Sequence, residues 1–573
     1  MSDNHSLKIG LLYSVIAVFL VLFLSRAFTI TITKPPYFVN PKKKETDLAF
    51  RGEISSDDNF KIATNKKNFT IAVVPKYIDK NKIDIFINLM SIYTNKPPSY
   101  YKKKLKTPNR VILLKNVPYK IKKNLQYLST LLDIKKVFLR VPKKDIVLGL
   151  EIFENPSTRD YIFKDTLEPI LGFVRLNKKS NQYYGKTGLE NFYNEELTPK
   201  QNGLIISQRD VKGRLIYSGE TIVKKREDGF NLTLNINLIL QRKIEKILDK
   251  FKQKLNTKEI LAVIMNSQTG QILTIASSNR YNPKHIKPSE IPNLKMDIIQ
   301  YSYEPGSVMK PITLAMLLEH KKVNPFEILN AHNGIFYFKR NFTIYDDEKF
   351  KYLNVIQAVI HSSNIVFAQL GLRLTPAEFR DGLLKFGFSK KSGIDLPYEE
   401  KGKVFSTKEL LSETHRASNA FGYALQANLI QLLKAYNSFN NNGIMVTPRI
   451  VKSINNKLLE PRYKQIISPS TAQTILNILR KVVLQGTAKK TDIKGLFIAG
   501  KTGTAKINKN GKYIKGLYNS TFIGFVNDKS HKYTIAVLSI KPDKKHYFAS
   551  QTSVVVFKNI VETMLDMGLL KKR

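Results

Sequence analysis

Three short runs hold residues whose types and spacing could do chemistry together: Ser307-Val308-Met309-Lys310, Ser362-Ser363-Asn364 and Lys501-Thr502-Gly503-Thr504. They supply a hydroxyl nucleophile, an amine to act as its base, a second hydroxyl to relay a proton, and a cationic strand with hydroxyls to clamp an anion. That set suits acyl transfer through a serine ester. No single run is convincing. Ser99-Tyr100-Tyr101-Lys102 repeats the Ser-x-x-Lys spacing and Lys186-Thr187-Gly188 repeats Lys-Thr-Gly, while Ser277-Ser278-Asn279 and Ser453-Ile454-Asn455 repeat Ser-x-Asn. In a chain rich in Lys, Asn and Ser, order and surroundings must choose among them.

The surroundings choose the set that begins at Ser307. Glu304-Pro305-Gly306 is a turn signal, and the apolar run from Ile312 to Leu318 behind it predicts a helix with Ser307 and Lys310 in its first turn. Pro311 is tolerated there because first-turn amides lack intrahelical partners. Residues three apart share a helix face, so the Lys310 amine reaches the Ser307 hydroxyl. A lysine kept neutral in a dry pocket takes the serine proton, and a helix N-terminus favours the charge of a tetrahedral intermediate. Leu353 to Ala368 predicts a helix, a polar break at Ser362-Ser363-Asn364, and a second helix. There Ser362 can relay a proton and Asn364 can hold Lys310 or a substrate amide; the plain alternative is a Ser/Asn helix cap. His361, beside them, is assigned no role. Leu496 to Ile507 predicts a strand bordering a cleft, followed by a turn at Asn508–Lys512. Gly503 leaves room for a peptide against that strand. Lys501 supplies positive charge and the Thr502 and Thr504 hydroxyls can bind a carboxylate.

With its neighbours, this set resembles the class B penicillin-binding proteins. The shared combination is Ser-x-x-Lys, Ser-x-Asn and Lys-Thr-Gly. Tyr303-Glu304-Pro305-Gly306-Ser307, Phe386-Gly387-Phe388 with Gly393-Ile394-Asp395-Leu396-Pro397, Ala499 to Ala505, and Ala262 to Leu273 carry the likeness, and the Glu-Pro-Gly-Ser form leans toward the division-specific (septal) branch. Upstream, Arg51-Gly52-Glu53-Ile54, Arg159 with Tyr161, and Gly188-Leu189-Glu190 with Tyr193 and Leu197 match the family's non-catalytic boxes. Two departures stand out. Ser56-Asp57-Asp58-Asn59 replaces an expected Asp-Arg-x-Gly, and Ile162 stands where proline is expected.

The resemblance implies a peptidoglycan D,D-transpeptidase that crosslinks stem peptides ending in D-Ala-D-Ala through a Ser307 ester. Lys310 would activate Ser307, and Ser362 would pass a proton to the departing D-Ala. Asn364 and Lys501 complete the catalytic set, and Thr502, Gly503 and Thr504 form the carboxylate-binding strand. The Ser307 and Thr504 amides would make the oxyanion hole. β-Lactams would be trapped as covalent inhibitors at the same serine, and no metal or organic cofactor is implied. The implied partners are a polytopic membrane glycan polymerase and other division proteins. The alternatives are an elongation-specific class B enzyme, a D,D-carboxypeptidase or β-lactam-hydrolysing or sensing protein, and a non-catalytic scaffold of the wall-synthesis complex.

The whole chain sets the frame. Its 573 residues require more than one domain, and the absence of cysteine excludes disulfides and thiol chemistry. The net charge of +47 comes from lysines spread along the chain rather than a stripe, which argues against nucleic-acid binding. Ile9 to Ile32, interrupted only by Arg26, is apolar enough to predict an uncleaved membrane anchor, with a cleavable signal peptide as its rival. The expected fold is this transmembrane helix, an α+β pedestal, and an α/β penicillin-binding transpeptidase domain with an antiparallel sheet covered by helices on both faces. The expected divisions are a cytoplasmic tail at 1–8, the anchor at 9–32, a stiff basic linker from Lys34 to Lys44 opening the pedestal (dimerisation-like) domain at 33–228, and the transpeptidase domain at 229–573. The expected location is the inner membrane, single-pass, with the catalytic domain in the periplasm.

Overall fold

The computed structural model describes residues 3–32, 43–141, 147–177, 179, 182–209, 215–216, 219, 221–339, 342–509 and 512–572. Most of the expected basic linker, 34–42, and the centre of the expected turn, residues 510 and 511, lie outside the described residues. The chain forms two compact units: residues 1–49, 69–154 and 201–227 make one, and residues 50–68, 155–200 and 228–573 make the other.

The first unit begins with helix α1, Asp3–Ile32, which runs unbroken through Arg26. Ile9–Ile32 is long and apolar enough to cross a membrane, and none of it is buried against protein. Its 24 residues give a rise of about 36 Å, against about 30 Å of bilayer hydrocarbon. Lys43–Asp47 then pairs antiparallel with Gly203–Arg209, which also pairs with Ile222–Lys224. The unit's own core joins Phe69, Ile71 and Val73 to Phe86, Met90 and Tyr101 and to Leu125, Leu128 and Leu132. The last three recur at helical spacing along Tyr119–Ile134, which turns one face inward.

The second unit is built on a five-stranded antiparallel sheet. In chain order its strands are β1 (Glu259–Asn266), β2 (Ile272–Ser277), β3 (Phe497–Lys509), β4 (Lys512–Asn527) and β5 (Lys532–Ile540), and in space they run β2-β1-β5-β4-β3. The near-continuous burial of β1 and β5 explains their Val/Ile-rich, non-alternating sequences. Helices cover both faces, namely α2 (Leu238–Lys254), α3 (Lys310–Glu319), α4 (Val355–Ile360), α5 (Asn364–Gly371), α6 (Leu429–Asn440), α7 (Pro469–Gln485) and α8 (Ser553–Asp566). Phe522 meets Phe557 of α8 and Phe525 meets Tyr436 of α6. The two phenylalanines are three positions apart on β4, so α8 and α6 lie on opposite faces.

Residues 50–68 and 155–200 pack into this same unit. Leu232–Leu234 pairs parallel with Ile54–Ser55 and antiparallel with Val451–Ile454. The upstream boxes converge on one buried carboxylate: Glu190 accepts Arg51 Nε at 2.7 Å and Arg159 Nε at 2.6 Å, while Arg159 Nη1 donates to Gly52 O. Burial pushes the Glu190 carboxyl up, but Arg159 and Arg51 outweigh it and hold the group below its ordinary value. Asp395 of the Gly393–Pro397 box is likewise buried, accepting the Ile450 and Val451 amides and the Tyr193 hydroxyl. The departure at 56–59 has a role of its own. Asp58 accepts the first two amides of α2, from Leu238 and Ile239, beside the Asn237 cap. Asp57 pairs with Lys452.

Candidate active site

Ser307 sits in a tight turn, Gly306–Met309, that leads directly into α3, with Pro311 in the first helical turn. Gly306 takes a left-handed φ of +61° to make the turn, and its amide donates to Gly422 O. The Tyr436 hydroxyl, from α6, donates to Val308 O at 2.5 Å and fixes the turn from below. Lys310 is fully buried. The break between α4 and α5 holds Ser362 at a φ of +60°, and Ser363 caps α5 through its hydroxyl. The capping alternative therefore falls to Ser363, which leaves Ser362 and Asn364 free to face Lys310.

Lys310 Nζ lies 2.9 Å from Ser307 Oγ, 2.5 Å from Ser362 O, 3.2 Å from Ser362 Oγ and 2.8 Å from Asn364 Oδ1. Two of these oxygens, the Ser362 carbonyl and the Asn364 amide oxygen, can only accept. In a neutral amine they take both N–H groups, and the lone pair is left facing the two hydroxyls. Burial pulls the Lys310 pKa down to about 7, with Asp346 and Asp347 opposing it. A neutral lysine is thus available near neutral pH.

Lys501 enters from the edge strand β3. It is fully buried, and its Nζ donates to Ser362 Oγ at 3.0 Å and to Thr502 O at 3.2 Å. Burial, and then the charge of Lys310, hold it well below the usual lysine range. Ser362 Oγ is therefore shared by two amines, which suits a hydroxyl that passes protons. Thr502 and Thr504 lie on the other face of the strand. The Thr502 hydroxyl is 2.6 Å from that of Thr487. Thr504 Oγ1 accepts the Ala549 amide at 3.1 Å, so its own proton is left to give to an anion.

Gly503 is needed for a second reason besides the expected one. A Cβ there would come within 2.8 Å of Pro305 O and 3.0 Å of Val308 Cγ1. The glycine lets β3 lie against the turn that carries Ser307, rather than only clearing space for a peptide. Among the competing motifs, Ser99 and Lys102 are solvent-exposed on helix Pro98–Lys104. Ser277 binds Glu259, and Gly188 opens the helix that presents Glu190. His361 pairs with Glu348 and packs on Phe350.

Sequence reasoning missed Ser363, Asp346, Tyr345 and Thr487. Asp346 accepts Ser363 Oγ and the Asn364 amide at 2.5 Å each, and Tyr345 O accepts Asn364 Nδ2 at 2.8 Å. Their one visible trace is the Asp346-Asp347-Glu348 triplet, an acidic cluster in a strongly basic chain.

This sheet, with a Ser-x-x-Lys turn and a Lys-Thr-Gly edge strand meeting at the half-buried Ser362 hydroxyl, defines the penicillin-interactive serine acyltransferases as a class. The chain belongs to the penicillin binding protein transpeptidase domain family, whose match spans residues 260–562; residues 46–234 match the penicillin-binding protein dimerisation domain. It is 28% identical to stage V sporulation protein D of Bacillus subtilis, over 91% of this chain and 79% of that protein. It is 26% identical to peptidoglycan D,D-transpeptidase FtsI of Buchnera aphidicola subsp. Baizongia pistaciae, over 100% of this chain and 97% of that protein. In fold it is similar to penicillin binding protein 2X from Streptococcus thermophilus, with a TM-score of 0.77 and 20% identity, over 92% of this chain and 81% of that chain.

Proposed function

We propose that this class B penicillin-binding protein, a peptidoglycan D,D-transpeptidase, works through Ser307 in septal cell-wall synthesis. The observation that carries the reading is the position of Lys310 Nζ between the Ser307 and Ser362 hydroxyls, oriented by two acceptor-only oxygens. Lys310 takes the Ser307 proton as Oγ attacks the penultimate D-Ala carbonyl. The Ser307 and Thr504 amides hold the oxyanion. The proton then passes from Lys310 through Ser362 Oγ to the departing D-Ala nitrogen as the peptide bond breaks. An amine from a second stem attacks the ester, gives up its proton along the same path, and leaves a crosslink and a restored Ser307. Lys501, Thr502 and Thr504 hold the terminal carboxylate, and Gly503 keeps their strand against the nucleophile. β-Lactams acylate the same serine.

The N-terminal helix fits a single-pass membrane anchor, and the chemistry argues for an inner-membrane protein with residues 229–573 acting in the periplasm. In this reading residues 33–228 form the pedestal, and a glycan polymerase and other division proteins are its partners. The FtsI name of a relative matching along the whole chain supports the septal assignment.

The test is intact-protein mass spectrometry after incubation with a fluorescent penicillin, beside Ser307→Ala. A persistent single adduct, absent from the variant, is expected. A transient adduct with opened penicillin accumulating would favour a hydrolase, and no adduct on folded protein would favour a scaffold.

A further inference from the structure

We propose that the cavity around Arg449 is a second peptide site, which takes the free carboxylate of a stem peptide other than the one in the catalytic cleft. The identity of the peptide rests on the transpeptidase reading above.

Phe192, Leu459, Pro448 and Pro461 give the cavity apolar walls, and Arg449, Arg462 and Glu460 give it charge. Its volume is about 440 Å³, inside the range of roughly 300–1,000 Å³ usual for small-ligand sites. The Arg449 amide donates to Gly270 O at 2.9 Å, and Arg449 O accepts the Ile272 amide at 3.0 Å, so the residue lies beside the start of β2. That strand and β3, which carries Lys501, are the two edges of the five-stranded sheet. Four strand spacings of about 4.8 Å, about 19 Å in all, separate them. The cavity is therefore separate from the cleft that Lys501 borders.

The Arg449 guanidinium lacks a counterion. Among the described residues it makes one bond, from Nη1 to Leu459 O, and its Nε is buried without an acceptor. A guanidinium keeps its charge in a protein, and buried charge is costly unless it is paired. Asp395 also lines the cavity but does not supply the pair. Its oxygens accept the Ile450 and Val451 amides and the Tyr193 hydroxyl. Arg449 acts as a charge on Tyr193, so its head group stands among the lining residues.

A carboxylate fits this vacancy in the hydrogen bonding, because it meets the planar guanidinium fork with two parallel bonds. Arg462, exposed at the rim, adds a second cation, and the Thr447 amide fixes its carbonyl at 3.0 Å. Glu460 is exposed on the same rim and suits an amine. Among the described residues neither Arg462 nor Glu460 has an ion-pair partner. Two cations, one anion and apolar walls between them match a short peptide with a free carboxylate and a free amine. A stem peptide that has yet to be crosslinked carries both.

The experiment is isothermal titration of the full-length protein with Nα-acetyl-L-Lys-D-Ala-D-Ala at about 0.15 M salt, where long-range attraction to a basic protein is screened. Benzylpenicillin first blocks Ser307, and mass spectrometry confirms the adduct. Saturable binding at a single site is expected. Amidation of the peptide C-terminus, or Arg449→Gln, is expected to weaken it about 10- to 100-fold, the range for charged hydrogen bonds. Arg462→Gln and Glu460→Gln, on the exposed rim, are expected to weaken it about two- to fivefold each. Thermal unfolding is measured for every variant, and the amidated peptide with the two rim variants decides the matter if Arg449→Gln does not fold. Absence of binding to the acylated protein would overturn the proposal. So would an affinity that ignores both the amide and the arginine substitutions, or equal binding of inorganic phosphate. A missing adduct would instead overturn the Ser307 reading, and the same titration of the unblocked protein beside Arg462→Gln would still decide the cavity.

Discussion

At the scale of residues, the site depends on a lysine held neutral by dryness, against the pull of two nearby carboxylates. Burial brings Lys310 to about 7. Protonated Lys310 has no lone pair, so acylation of Ser307 is expected to rise with pH, about tenfold per unit below 7, and to level off above it. The pH dependence of penicillin acylation checks this, and a flat profile from pH 5 to 9 would refute it. Lys310→Met is expected to cost about 100- to 10,000-fold. Ser307, Lys310, Ser362, Asn364 and Lys501 were legible because their three motifs follow in a fixed order, two at helix starts and one on a predicted strand. Asp346 and Ser363 were not. Asp346 acts on Asn364 from a separate strand, and nothing in its local pattern points across that gap. Ser363 is the middle residue of its triplet, and only its hydroxyl bond to the Val366 amide separates it from Ser362 and Asn364 as the cap.

At the scale of elements, the site is the meeting of a turn, a helix break and an edge strand, and its tolerance is set where their backbones touch. Gly503 is such a place. In Gly503→Ala the new methyl would collide with Pro305 O, which is backbone and cannot swing away. The strand must move off the Ser307 turn and carry Lys501 with it. Acylation is expected to fall about 100-fold, the cost of roughly 1 Å of misplacement, while thermal stability changes far less. Wild-type acylation in this variant would show that the contact is slack. The strand carrying Lys501 could be read from the run Leu496 to Ile507 and the turn after it, and so could the helix–break–helix around Ser362. The order of the strands could not, because it turns on the one pairing of β1 with β5, whose partners lie hundreds of residues apart. Ile54–Ser55 and Leu232–Leu234 are too short to carry any periodic signal.

At the scale of the molecule, the boxes upstream of the catalytic residues do structural work in the catalytic unit. Glu190 joins segments 50–68 and 155–200 by pairing with two buried guanidinium groups. Glu190→Gln would leave those charges without a counterion, and a loss of about 3–5 kcal/mol is expected in thermal unfolding. Because the folded pKa is lowered, this stabilisation is present above the ordinary glutamate value of about 4.3 and disappears as pH falls through the folded value. The variant should therefore show a weaker acid dependence of unfolding than wild type. The boxes themselves were legible, but their convergence on one carboxylate was not, since it depends on chain reversals that no local pattern encodes. The strand order has a further consequence during synthesis. Lys532–Ile540 is the last strand made, yet it lies between Glu259–Asn266 and Lys512–Asn527. Until it arrives, the Lys501 hairpin has no hydrogen-bonded link to the rest of the sheet. A nascent chain, or one cut short before residue 532, carries Ser307 and Lys310 but lacks the strand that joins the Lys501 hairpin to the sheet, so reactivity appears only once Lys532–Ile540 has been made.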